Sequence, residues 1–251
     1  MNDRVDLFGL SIHNVTLDGS LRWLKESLSG AGRHYVVTLN VDHVVRLQKD
    51  PEFRQAYRGA SLVVADGMPI LWASRLLGKP LKERVTGSDL VPGACRLAAG
   101  SGHAVYFLGG SKGVAEKAAE NLRSVLPALR VAGCDSPPFG FESDPLEDQR
   151  VVERINQAKP DILFLALGAP KQEKWVAGHI HRLEIKVAFC IGSALDYPAG
   201  AAKRAPRWMQ RGGLEWLWRL FREPRRLVYR YLVDDMAFIG ILAKELIFHK
   251  Q

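Results

Sequence analysis

The sequence predicts an α/β fold, a mostly parallel sheet with helices on both faces. Two observations carry this. Short β-branched or aromatic runs recur along the chain, and each is followed by a segment of helical period. The strand runs are Val5 to Ile12, His34 to Leu39, Ser61 to Ala65, Ala104 to Leu108, Asp161 to Leu167 and Val187 to Ile191. Between them, Leu17, Leu21, Leu24 and Leu28 share one helical face, as do Val114, Ala118, Leu122 and Val125. Such alternation places helices on both sides of a parallel sheet and puts ligands beyond the carboxyl ends of its strands.

At 251 residues, the chain can bury a sizeable core. Its 47% hydrophobic and 25% charged residues are those of a globular protein, with no low-complexity tract or solenoid repeat. The divide falls near residue 202. Residues 1–202 are expected to form one Rossmann-like domain, and 203–251 a basic, aromatic, helical appendage. Between Lys203 and Arg230, nine basic residues face two acidic ones, so this window carries +7 of the formal net charge of +8. Such a concentration implies an anionic partner: nucleic acid, phospholipid headgroups or a phosphorylated substrate. Pro206, Gly212-Gly213 and Pro224 divide the appendage into short helices and a longer one from Pro224 to about Phe248. In that last helix, Leu227, Tyr231, Met236, Ile239, Leu242 and Leu246 are interrupted by Asp234, Asp235, Lys244 and Glu245, the pattern of an amphipathic surface helix. Cys95, Cys134 and Cys190 form no Cys-x-x-Cys pair and read as small buried residues. No signal core opens the chain and no eighteen apolar residues run together, so the expected location is the cytoplasm, without a spanning helix.

The polar residues of interest cluster at the expected strand ends. Thr38 and Asn40 follow the second run, Asp66 and Gly67 the third, Gly109-Gly110-Ser111 the fourth and Gly168-Ala169-Pro170-Lys171-Gln172 the fifth. Asp66 can take a proton from an attacking hydroxyl, or simply cap the next helix. Arg84 with Thr86, Gly87 and Ser88 can hold phosphate, and Ser88 serves equally as an N-cap. The Gly109-Gly110 turn fits a nucleotide but lacks the Gly-x-Gly-x-x-Gly fingerprint. Lys171 and Gln172 can hydrogen-bond a sugar or a phosphate, while surface solvation accounts for Glu173 and Lys174. No Asp-x-Asp occurs, and His179 and His181 make a poor metal pair, so arginines, lysines and helix N-termini are left to balance any diphosphate.

Taken together, Thr38-Leu39-Asn40, Ala65-Asp66-Gly67-Met68-Pro69, Arg84 to Asp89, Phe107 to Gly110, Gly168 to Glu173, Arg204 to Trp208, Gly213 to Trp216 and Glu223 to Leu227 resemble the WecG/TagA/CpsF glycosyltransferase family, in order from about residue 5 to 232. The resemblance implies a bacterial, inverting, metal-independent transferase without a cofactor. Its donor would be a UDP-sugar, of N-acetylmannosamine type or a related hexose, and its acceptor an undecaprenyl-diphosphate-linked saccharide of surface-polysaccharide synthesis. It makes Asp66 the general base, with Thr38, Asn40, Gly67, Arg84, Gly109, Gly110, Gly168, Lys171 and Gln172 around the substrates. Arg204, Arg207, Arg219, Arg222, Arg225 and Arg226 would meet lipid diphosphate or the anionic inner face of the cell membrane, as a peripheral enzyme does. Where the family reads Gly-Gly-x-Phe-Asp, this chain has Gly192-Ser193-Ala194-Leu195-Asp196-Tyr197, which leaves the donor sugar open. The competing reading is a nucleic-acid-binding module gripping RNA or DNA through the basic aromatic segment; it leaves Asp66 and the Gly168–Gln172 turn without a role. A nicotinamide-dependent dehydrogenase lacks its fingerprint. The sequence leaves the oligomeric state open, a homo-oligomer included.

Overall fold

The computed structural model describes residues 3–222, 224 and 236–248. In chain order its strands are β1 (Arg4–Leu7), β2 (Leu10–His13), β3 (His34–Leu39), β4 (Leu62–Ala65), β5 (Ala104–Gly109), β6 (Arg130–Asp135), β7 (Ile162–Ala166) and β8 (Val187–Cys190). The helices are α1 (Leu17–Ser29), α2 (Val41–Leu47), α3 (Pro51–Gly59), α4 (Met68–Leu76), α5 (Gly87–Ser101), α6 (Val114–Val125), α7 (Pro145–Ala158), α8 (Lys171–His179), α9 (Arg207–Arg211), α10 (Glu215–Arg222) and α11 (Ala237–Phe248). Strands β3 to β8 form one parallel sheet in the order β4-β3-β8-β7-β5-β6. The chain lays down the two ends of the sheet first, as β3–β4 and β5–β6, and then closes the middle with β7 and β8.

Alternation along the strands sorts the core into two layers. Val37, Leu39, Val63, Leu163, Leu165 and Ala188 point to the face covered by α2, α3, α4, α7 and α8. Val36, Leu62, Val64, Phe107, Phe164 and Phe189 point to the face covered by α1, α5 and α6. On that second face, Phe107, Phe164 and Phe189 stack across three adjacent strands at 5.3 and 5.5 Å. The parallel sheet and its two helical layers agree with the expectation.

Four features depart from it. The run Val5 to Ile12 is not one strand but the antiparallel hairpin β1–β2, because Phe8 and Gly9 both take positive φ (58° and 73°) and turn the chain back. Edge strand β6 is absent from the sequence reading. It is half-exposed and interrupted by Gly133, against which the Tyr106 ring lies so closely that a Cβ would fall 2.5 Å from Cε2. On α6 the buried stripe is Ala115, Ala118, Ala119 and Leu122, while Val125 is exposed. Of the helix expected from Pro224 to Phe248, α11 is described, and 223 and 225–235, with Leu227, Tyr231, Asp234 and Asp235, lie outside the described residues. Met236 and Ile239 of its expected apolar face are exposed; Phe238 is buried instead, against Phe8 with ring centroids 5.3 Å apart.

Gly109 ends β5 at φ +99°, where an added Cβ would stand 2.8 Å from the Ala166 carbonyl of β7. Backbone cannot give way as a side-chain tip can. Gly109→Ala is therefore expected to destabilise the protein by on the order of 2–4 kcal/mol, through the strained φ and the overpacking together. Urea unfolding of the variant against wild type measures this.

Candidate active site

A cleft of about 650 Å³ opens at the carboxyl edge of the sheet. The strand order dictates the order of its walls. Asp66 follows β4, Thr38 and Asn40 belong to β3 and its end, Gly192 to Tyr197 follow β8, Gly168 to Gln172 follow β7, Gly109 to Ser111 end β5, and Pro137 to Glu142 follow β6. Every one of these strand ends contributes lining residues. Five strand intervals separate β4 from β6, roughly 24 Å at the usual spacing.

Asp66 is half-buried at one end of this cleft. Its backbone N–H donates to Leu39 O at 2.7 Å, tying the end of β4 to β3. The N-cap of α4 is Gly67 at φ +129°, which has no side chain to cap with, so the cap position that the sequence also allowed for Asp66 falls to Gly67. Asn40 does act as a cap: its Oδ1 accepts from His43 N–H at 3.0 Å and opens α2. Thr38 is buried, and its hydroxyl donates to Cys190 O at a long 3.5 Å. Beneath them, Tyr57 Oη donates to Thr38 O at 3.2 Å and lies 2.6 Å from His43 Nδ1, so the cleft floor rests on a buried polar network.

At the β7–α8 turn, Lys171 pairs with Glu142 at 2.5 Å and lies 3.7 Å over the ring of Phe139. Gln172 is buried; its Oε1 accepts from Gly192 N–H at 3.1 Å and its Nε2 donates to Glu173 Oε1 at 2.8 Å. Glu173 is no solvated surface residue. It has no exposure, and burial pushes its carboxyl up to about 7, with Asp42 adding to the shift against hydrogen bonds from Gln172 and the backbone. Lys174 does face solvent, paired with Asp50 at 2.7 Å and Glu52 at 3.2 Å.

Phe139, absent from the sequence reading, is 96% exposed on the cleft wall after β6. Its loop is anchored by Phe141, which is buried and meets Trp175 edge-on at 6.0 Å. An aromatic in the turn Pro137-Pro138-Phe139-Gly140 was the available signal, but it carries weight only once β6 is known to end there.

Arg84 is not among the lining residues. It pairs with Glu215 of α10 at 2.8 Å, while Arg204 reaches Asp89 at 2.7 Å and Glu215 at 3.1 Å. The N-cap of α5 is Thr86, whose hydroxyl accepts from Asp89 N–H at 3.2 Å; Ser88 instead lines the cleft. Burial alone would raise Asp89, but hydrogen bonds from Arg204 and Thr86 outweigh it and hold the carboxyl below its ordinary value. This network fastens the start of the basic segment to the α5 region. Of the other tail arginines, Arg222 lies 5.4 Å over the Trp218 ring. Arg225, Arg226 and the side chains of Arg207 and Arg219 lie outside the described residues. Trp208 is exposed, Trp216 is partly exposed, and Trp218 turns back to donate to Lys203 O at 3.0 Å. Among the described residues, no three His, Cys, Asp or Glu side chains are grouped as metal ligands, and no helix is long and apolar enough to cross a membrane.

Residues 5–251 match the model of the glycosyl transferase WecG/TagA/CpsF family. Curated relatives from Staphylococcus aureus strains MRSA252 and MW2 are each 30% identical over 226 residues, which cover 89% of this chain and 87% of theirs. Both are named N-acetylglucosaminyldiphosphoundecaprenol N-acetyl-beta-D-mannosaminyltransferase.

The raised carboxyl of Glu173 has a stability consequence. The unfolded chain ionises this group at its ordinary 4.5, while the folded chain keeps the proton to about 7. Its contribution is thus fully present below about 4.5, is lost as pH rises through about 7, and amounts to on the order of 3 kcal/mol. Glu173→Gln is expected to remove this component, so that the variant gains on wild type between pH 5 and pH 8 in thermal unfolding.

Proposed function

The chain belongs to the WecG/TagA/CpsF glycosyl transferase family, and from that premise we propose that it transfers an N-acetylmannosamine-type sugar from a UDP-sugar to an undecaprenyl-diphosphate-linked saccharide. The relatives' name supports the acceptor and the transferred group. The observation that carries the reading is one cleft with an acid at one end, an exposed aromatic at the other and glycine turns between. A nucleoside diphosphate sugar has that polarity. Its reacting carbon belongs beside the acid, its diphosphate against the turns, and its base against the face of Phe139. The cleft volume lies within the usual ~300–1,000 Å³ for ligand sites.

In the proposed step, Asp66 accepts the proton of an acceptor hydroxyl as that oxygen forms a bond to the anomeric carbon. The bond from that carbon to the diphosphate oxygen breaks on the opposite face, and its electron pair leaves with UDP, so the configuration inverts. Asn40 and Thr38 stand next to Asp66 on the neighbouring strand end. Lys171 and Arg46 line the cleft, each already paired with a carboxylate, Glu142 and Asp42. A diphosphate would compete for them, and the arginines of the basic segment supply further positive charge. No metal is required in this scheme. The same segment, with Trp208 and Trp216, holds the enzyme to the anionic inner face of the cell membrane, where a polyprenyl-linked acceptor is confined.

Asp66→Asn is expected to lower kcat by about 10²–10⁴-fold with the fold intact. The assay is UDP release from a panel of UDP-sugars with a short-chain polyprenyl-diphosphate N-acetylglucosamine. Near-normal turnover in the variant removes Asp66 from the mechanism. Replacing Arg222, Arg225 and Arg226 together by glutamine is expected to weaken partitioning onto anionic vesicles by on the order of 100-fold, at about 1 kcal/mol per residue. Unchanged sedimentation with such vesicles would refute the membrane role.

A further inference from the structure

Glu173 combines complete burial with an oxygen, Oε2, that has no hydrogen-bond partner among the described residues. Its other oxygen belongs to a chain whose polarity is forced. The Gly192 N–H can only donate, so the Gln172 atom 3.1 Å away is the carbonyl oxygen, Oε1. The amide nitrogen of Gln172 is thereby turned onto Glu173 Oε1 at 2.8 Å. Glu173 Oε1 must therefore accept, and any proton on this carboxyl sits on Oε2. At the far end of the chain, Gly192 at φ +52° begins the turn whose Ser193, Asp196 and Tyr197 line the cleft.

We propose that Glu173 is a positioning residue that holds the Gly192–Tyr197 wall of the cleft through Gln172, tightly as the carboxylate and loosely as the neutral acid. A hydrogen bond to an ionised acceptor is roughly twice as strong as one between neutral groups. The groups coupled to it electrostatically are Asp42 and Arg46 of α2, Tyr57 of α3 and Cys190 of β8. Asp42 and Arg46 are paired with each other at 2.8 Å. Burial pushes Tyr57 and Cys190 well above their ordinary values, so both stay neutral through the physiological range. With Glu173 itself raised to about 7, the switch falls at neutral pH. His43, 2.6 Å from Tyr57 Oη, is the other neighbour of a type that ordinarily titrates there.

The consequence for substrate rests on the cleft being the UDP-sugar site, whereas the hold on the wall does not. The test is therefore made in two parts on the full chain. With ¹⁵N-glycine label, the Gly192 amide resonance is followed from about pH 5.5 to 8.5. In wild type it is expected to titrate with a midpoint near neutrality, and in Glu173→Gln, an isostere of the neutral acid, to lose that titration. A flat wild-type response overturns the proposal, and no variant's folding can obscure that result. An identical titration in the variant also overturns it, because the proton then belongs to a group other than Glu173. In kinetics, wild-type KM for the UDP-sugar is expected to fall by about fivefold from pH 6 to 8, with kcat changing less, while the variant stays near the acid-side value. Loss of the Gly192 titration in the variant supports the proposal even if no UDP-sugar is turned over, and in that case the functional reading fails by itself.

Discussion

A parallel sheet covered on both faces leaves its strands, apart from the edge strand β6, almost no solvent, and this constraint organises the molecule. Strands β4, β5 and β8 are buried along their whole length, β3 and β7 at all but one terminal residue. Polar chemistry can then appear only where strands end and their side chains are released from the packed layers. The carboxyl edge is where that happens, and the cleft is its direct result. Close packing continues to the edge itself: at Gly109 and Gly87 the neighbouring backbone leaves almost no room for a side chain.

The same constraint explains why positions far apart in sequence work together. Asp66 and Asn40 become neighbours because β4 pairs with β3, with Leu39 opposite Ala65. Gln172 meets Gly192 because β7 pairs with β8, so that the two turns emerge side by side. The two strands inserted last thus join an acid-bearing half to a glycine-turn half, and the buried Glu173–Gln172–Gly192 chain lies at that junction. A carboxyl group deep in such a junction costs free energy in either protonation state. It is desolvated when ionised, and one oxygen lacks a partner when neutral.

Electrostatics divide the basic residues by role. Arg84 and Arg204 are bound to Glu215 and Asp89 at the root of the basic segment, largely out of solvent. Their charges are spent on holding that segment to α5, an arrangement in which removing one partner leaves another buried and uncompensated. Met68, the first residue of α4 after Asp66 and Gly67, lies against Gly213, which brings the same segment beside the acid. Further along, Arg222 lies over the Trp218 ring, and Trp208 and Trp216 of the same segment are exposed.

Much of this was legible in the chain. The hydrophobic runs gave five of the six strands of the parallel sheet, because those strands are buried on both faces and read as continuous apolar stretches. The residues that line the cleft at Asp66, Thr38, Asn40, Gly109, Gly110, Gly168, Lys171 and Gln172 were found because polar and glycine residues directly follow such runs. Strand β6 and the Phe139 wall were not, since an edge strand half in solvent carries no apolar run and its glycine is explained only by a ring on the adjacent strand. Burial of Glu173 was equally invisible: a Lys-Gln-Glu-Lys sequence looks solvated until α8 is seen turning that one side chain inward. Sequence by itself determined the periodicities, and with them most of the elements, while its spaced motifs carried the resemblance to the family; tertiary structure decided which strand lies beside which, and so which charges are paired, buried or facing the cleft, because burial and pairing depend on neighbours across the fold that local pattern does not encode.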